Sequence, residues 1–172
     1  MSGKWLHEMD GEGRTPLDRA FSSGHRAIAE MMLTQDKEDR AARSDTEHPM
    51  HRAAYLGLAN AVRTLLSVGT NASEVDDLCE TPLHKAARAG HVDTVRALAS
   101  ACNVNALSGM GMTALHWASM SGNQEVVEAL LEFGADPTIP SPAADGLTAK
   151  ELASMMDYDE VVEKIEHNAC YA

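Results

Sequence analysis

The sequence is short of several things, and each shortage excludes a class of protein. Only three cysteines occur in 172 residues, Cys79, Cys102 and Cys170, forming neither an even set nor a close pair. A disulfide framework of the secreted kind is therefore not expected, and a reducing compartment, cytoplasm or nucleus, is. Basic residues are outnumbered, with 14 Lys and Arg against 26 Asp and Glu, and the formal charge of −12 repels a phosphate backbone and an anionic lipid surface. Neither nucleic acid nor membrane is an expected partner. No apolar run approaches the roughly 18 residues that cross a bilayer. The start, Met1 to Glu8, lacks the apolar stretch of an export signal, and Cys170 stands one position too late for a prenylation box. Six prolines and 12 glycines are too few for a collagen-like or low-complexity chain.

With 44% hydrophobic and 23% charged residues, the composition is that of a folded protein. Its organisation shows when the sequence is slid against itself. Thr15-Pro16-Leu17-Asp18, His48-Pro49-Met50-His51, Thr81-Pro82-Leu83-His84, Thr113-Ala114-Leu115-His116 and Thr148-Ala149-Lys150-Glu151 are five copies of one motif. They begin 33, 33, 32 and 35 residues apart, and a fixed period of this size marks stacked units rather than one wrapped core. Gly24, Gly57, Gly90 and Gly122 follow nine residues after the motif start in the first four copies.

The third copy reads most clearly. Thr81 is placed to cap a helix, and Pro82 at the first helical position loses no needed N–H. Leu83, Ala86 and Ala87 make a stripe of apolar and small residues, and Gly90 can take the left-handed conformation that stops the helix. Val92, Val95, Leu98 and Ala99 then recur at spacings of three and four, predicting a second, antiparallel amphipathic helix. The unit is a helical hairpin. Segments rich in Gly, Asn, Asp and Ser, such as 73–80 and 106–112, join one hairpin to the next as extended turns.

These residues resemble the ankyrin repeat, whose pattern is Thr-Pro-Leu-His, Ala-Ala, Gly-His, a Val-Val-Leu-Leu helix and Gly-Ala-Asp. The resemblance runs from about residue 10 to 168. It implies an all-α solenoid of five helix-turn-helix units with β-hairpin or extended fingers, in a single domain over 1–172. The repeats fall at approximately 10–42, 43–75, 76–107, 108–140 and 143–168. Several departures carry expectations of their own. Gln35 to Arg40 replaces the Gly-Ala-Asp turn, leaving a longer second helix or an irregular finger as alternatives. One residue is missing near Cys102-Asn103, and two extra residues near Pro140-Ser141-Pro142 predict a stiff, extended insertion. In the fifth copy Lys150 takes the Leu place and Asp157-Tyr158 that of Gly-His, as in a polar-faced cap, so repeats one and five are expected to close the array.

No constellation for chemistry stands out. His51, His84 and His116 fall one per repeat, stacked about 10 Å apart and too far apart to share a metal. The resemblance implies that each hydrogen-bonds a turn. His25 and His91 read as turn residues, and Cys79, at a place where the family prefers Gly, as a small buried or half-buried thiol. Gly109-Met110-Gly111 lacks the third glycine and preceding strand of a dinucleotide loop, and Asn71-Ala72-Ser73 matches a glycosylation acceptor in a chain read as intracellular. No cofactor, no metal and no enzymatic activity are expected.

What is left is surface. Positions flanking the capping Thr and those before the hairpin Gly resemble the partner-reading positions of ankyrin proteins. In repeat two these include Ser44, Asp45, Glu47, Arg52, Tyr55 and Leu56. In repeat three they include Val75, Asp77, Leu78, Glu80, Lys85 and Arg88. Repeat four contributes Leu107, Met110, Met112, Trp117 and Met120, and repeat five Leu147, Met155 and Met156. Methionines with a tryptophan make an adaptable surface for an apolar anchor of a partner. Met110 and Met112 are expected at exposed finger positions, while Trp117 either lines the groove or packs on the neighbouring repeat. Charge is uneven, with 11 acids against 2 bases over 111–172, as a solvated outer face of second helices predicts. The expected function is a monomeric, non-catalytic adaptor, scaffold or inhibitor that binds a protein partner through the concave groove and finger tips of repeats two to four, as a whole small protein or a fragment. Self-association through the Met-rich patch is the alternative, and an enzyme or small-molecule binder ranks last.

Overall fold

The structure, a computed structural model, describes residues 48–169 and, ahead of them, the isolated positions 11, 16, 19, 20, 23, 25 and 28. The first repeat as a unit, the 34–47 connection, Ser44, Asp45, Glu47 and Cys170 lie outside the described residues. Over residues 48–169 the chain is all-α. Four first helices, α1 (Pro49–Tyr55), α3 (Pro82–Ala89), α5 (Ala114–Met120) and α7 (Ala149–Met155), alternate with four second helices. These are α2 (Ala59–Ser67), α4 (Val92–Ala99), α6 (Gln124–Glu132) and α8 (Asp159–Ala169). Each pair packs together, α1 touches α3, α3 touches α5 and α5 touches α7, and α2, α4, α6 and α8 make a parallel row behind. This is the predicted row of helical hairpins.

The interior lies between the two rows and is continuous. Leu83, Leu98, Leu115 and Leu130 are fully enclosed, and alanines such as Ala54, Ala86, Ala118 and Ala153 let neighbouring first helices approach. A single hairpin could not enclose these side chains; each unit's apolar face is covered by the next.

The hairpin turn explains the glycine of the period. Gly57 has φ +71°, and a Cβ there would meet the ring of His91 at 2.6 Å. Gly122 repeats the arrangement against Tyr158. Glycine is thus needed both for backbone conformation and for the close approach of the following unit. Asp157 stands at that place in the last pair with φ +59°. The strain remains there, but no described unit presses on it.

Among the described residues the connections form three fingers, at 71–80, 103–112 and 136–147. Each begins with a side chain folding back on its own backbone: Asn71 Oδ1 accepts from Ser73 N–H, Asn103 Oδ1 from Asn105 N–H and Asp136 Oδ1 from Thr138 N–H. Asn71 is therefore a turn builder. The tips close by backbone hydrogen bonds, Asp76 N–H to the Glu80 carbonyl (3.0 Å), Ser108 N–H to Met112 (2.9 Å) and Ser141 N–H to Leu147 (2.9 Å). The first two tips have the same reach, so the missing residue near Cys102 does not shorten the second tip. The third is two residues longer, as expected, but Pro142–Ala144 forms a 3-10 turn rather than an extended insertion. Among the described residues the fingers hold no regular strand, only the isolated bridge between Ser141 and Leu147.

Candidate functional site: the finger side of the array

The fingers are held to the first helices by the motif's histidine. In α3, His84 Nδ1 accepts from the Thr81 backbone N–H (3.0 Å), which leaves Nε2 as the protonated nitrogen. Nε2–H is shared between the carbonyls of Met112 (3.0 Å) and Ala106 (3.1 Å) on the second finger. One side chain caps its own helix and clasps the next finger. Burial lowers the His84 pKa, against the pull of those two carbonyls, so the ring stays neutral.

The other copies show what each half of this device requires. His51 Nε2–H reaches the Glu80 carbonyl at 2.8 Å, but His48 stands where a Thr would be, and His51 Nδ1 is enclosed without a partner. His48 turns instead to the Glu74 carboxylate at 2.9 Å. In α5 the cap is complete, with Thr113 N–H on His116 Nδ1 and His116 N–H on Thr113 Oγ1. The Leu147 and Ile139 carbonyls of the third finger lie close enough to His116 to raise its pKa, but no hydrogen bond of regular geometry closes on Nε2. Burial lowers the pKa of both His51 and His116. In α7 the place is taken by Glu151, which accepts from Thr148 N–H at 2.8 Å. A carboxylate caps as well as an imidazole does but has no N–H for a further finger.

The side of the array that carries fingers and first helices also carries the candidate binding residues. Tyr55 and Leu107 are exposed, as are Leu78 (63%), Met110 (53%) and Met155 (70%). Trp117 and Met120 are half-buried. The Trp117 ring has the Arg88 guanidinium 5.1 Å over its face, while its Nε1 is enclosed without a partner. Trp117 thus packs against Arg88 of the preceding repeat while part of it stays exposed. Arg52 is half-buried and already engaged.

Three residues differ from their expected exposure. Met112 and Glu80, read as finger surface, are each 3% exposed. Both stand immediately before a capping Thr, the place from which a side chain folds over the first turn of the helix. Glu80 does this as an ion, pairing with Lys85 one turn into α3 and with Arg88 at 3.3 Å. Lys85 also reaches Asp76 Oδ2 at 2.7 Å. Burial opposes the charge on both partners, yet the pairing raises the Lys85 pKa and, with N–H donors from Glu80 and Leu78, lowers that of Asp76. Lys85 and Arg88 are therefore built into the finger base, and Asp76, which the sequence did not single out, closes the finger. The signal was its spacing of four before Glu80, equal to that of Ser108 before Met112. Third, Cys79 is exposed, with φ +54°, in the left-handed place that Gly111 takes on the second finger.

The opposite side is different in kind. Neighbouring second helices are joined by polar rungs: Arg96 to Glu132 (2.5 Å), Gln124 to Glu160, and Lys164 to Glu128 (2.6 Å). A groove of about 600 Å³ between α6 and α8 is lined mainly by these groups. Among the described residues no three His, Cys, Asp or Glu are gathered as metal ligands would be, and no helix is long and apolar enough to cross a membrane. The half-buried Cys102 thiol is pushed up to about 11 by burial, which makes it a poor nucleophile.

Comparison with known proteins agrees with this architecture. Residues 50–141, more than half of the chain, match the family description of ankyrin repeats, in three copies. The chain is 36% identical over 70 residues to a Notch-regulated ankyrin repeat-containing protein of Homo sapiens, a segment covering 41% of this chain and 60% of that one. Its Danio rerio relative, protein B, is 34% identical over 70 residues, covering 41% and 61%. A calmodulin-binding transcription activator, CBT, of Oryza sativa subsp. japonica is 49% identical over 55 residues, 28% of this chain and 6% of that protein. The chain thus spans less than two thirds of each of these relatives. Stacked helix pairs, the clasping histidine and the matched span lead to one assignment: the chain belongs to the ankyrin repeat family, whose repeats are typically non-catalytic and generally serve as protein-interaction modules.

Proposed function

We propose that the chain is a non-catalytic adaptor, scaffold or inhibitor that holds a protein partner along its fingers and first helices. The observation that carries this reading is the exposure of Leu78, Leu107 and Met110 on the fingers and of Tyr55 and Met155 on first helices, on a side whose backbone is clasped by buried histidines. Large apolar side chains on a rigid support supply contact area to a partner with little ordering cost. The second helices present instead a ladder of exposed ions, which suits contact with water. Two unpaired thiols, Cys79 and Cys102, fit a reducing cytoplasm or nucleus.

Met110→Asp combined with Met155→Asp tests the reading without touching the interior. Protein captured from native lysate is expected to be lost while far-UV circular dichroism and the urea midpoint stay unchanged. Undiminished capture would refute the assignment of the finger side. Light scattering separates the self-association alternative: the chain is expected to stay monomeric across a concentration series, whereas a rising mass abolished by Met110→Asp would assign the strip to a second copy.

A further inference from the structure

The three finger tips touch. Gly109 N–H donates to the Leu78 carbonyl at 2.9 Å, joining the second tip to the first. A Cβ on Gly111 would lie 2.7 Å from Pro142 Cδ, so the third tip is packed against the second. Together they form one surface, with Leu78, Leu107 and Met110 exposed on it.

Its charge has one sign. None of the three fingers contains a Lys or Arg. The nearest cations on α3 are already neutralised, Lys85 by Asp76 and Glu80, and Arg88 by Glu80. At the tips themselves two carboxylates are left over. Asp77 on the first tip and Asp145 on the third are exposed and have no ion pair or side-chain hydrogen bond among the described residues. The apolar residues of the middle tip are thus bracketed by two uncompensated anions.

We propose that this surface takes a polypeptide segment in which an apolar residue is flanked on both sides by lysine or arginine. The proposal rests on the interaction reading above and adds the partner's chemistry. Docking an apolar residue on Leu107 and Met110 strips water from Asp77 and Asp145. A neutral or acidic segment returns nothing for that desolvation, whereas flanking cations do. The net charge of −12 steers the same class of partner from a distance.

The test is selection of a random peptide display library on the full chain, followed by affinity measurement with a synthetic copy of the enriched peptide. Two variants serve as probes. Asp77→Asn with Asp145→Asn removes only charge, and Asn tolerates the φ of +52° at residue 145. Leu107→Ser with Met110→Ser removes the apolar strip. The expected peptides carry Lys or Arg on both sides of an apolar residue. They should bind the Asn variant about tenfold more weakly at about 50 mM salt, with the difference shrinking at about 500 mM. Enriched peptides without basic flanks, or equal affinity for the Asn variant, would overturn the proposal. If those peptides still lose affinity for the Ser variant, the interaction reading survives. Failure to enrich any peptide, or indifference to the Ser variant, would overturn both.

Discussion

The two sides of this array are built from the same repeat but satisfy their polar groups in opposite ways. On the finger side the ions are buried against each other and the imidazoles are tied to backbone: Glu80 pairs with Lys85, and His84 sits between the Thr81 N–H and two finger carbonyls. That side then exposes Tyr55, Leu78, Leu107, Met110 and Met155. On the second-helix side the polar groups are long side chains joined to each other across neighbouring units, in water. A rigid face with exposed apolar residues suits recognition, and a face of solvated ion pairs suits solubility.

The largest effect is expected where the two sides meet. Leu83→Ala or Leu115→Ala opens the shared interior and should lower stability by about 2–5 kcal/mol in urea unfolding. An unchanged midpoint would contradict the packing of the two rows. Next comes the clasp. His84→Ala leaves the Thr81 N–H and two finger carbonyls without their partner and should cost about 1–3 kcal/mol. His116→Ala should cost less, because its Nε2 closes no bond. Equal losses would show that the finger bonds contribute nothing.

Acidification sharpens the contrast further. His51, His84 and His116 have pKa values lowered from 6.5 by burial, so the unfolded chain takes up protons before the folded one does. Stability supplied by the neutral rings is fully present above about pH 6.5 and falls as pH drops toward the folded-state values. The urea midpoint should decrease between about pH 7.5 and 5.5 in the wild type, and decrease less in His84→Ala. The smallest effect belongs to the outer ladder. Arg96→Ala with Lys164→Ala should shift the midpoint only slightly, and high salt should erase the shift. A large, salt-resistant loss there would remove the distinction between the sides.

Much of this was legible in the sequence, because the motif is made of residues with a backbone duty. Thr113 caps, Pro82 starts a helix, and Gly57 turns where His91 must approach; such requirements recur with the period. The direction of finger side chains was harder to read. Met112 is apolar and Glu80 charged, so polarity alone does not mark both as buried; their burial follows from tip closure by Ser108 and Asp76, a tertiary consequence visible only when the fingers are aligned on each other. The engagement of Lys85 was hidden for the same reason. The added length of the third finger was legible from the spacing, whereas its 3-10 turn was not.

The most direct test of the recognition face is amide hydrogen exchange of the full chain with and without a bound peptide selected on it. Protection is expected along residues 76–80, 107–112 and 142–147 and on the adjoining first helices, with α2, α4, α6 and α8 unaffected. Protection confined to the second helices would place the partner on the solvated ladder and contradict the account.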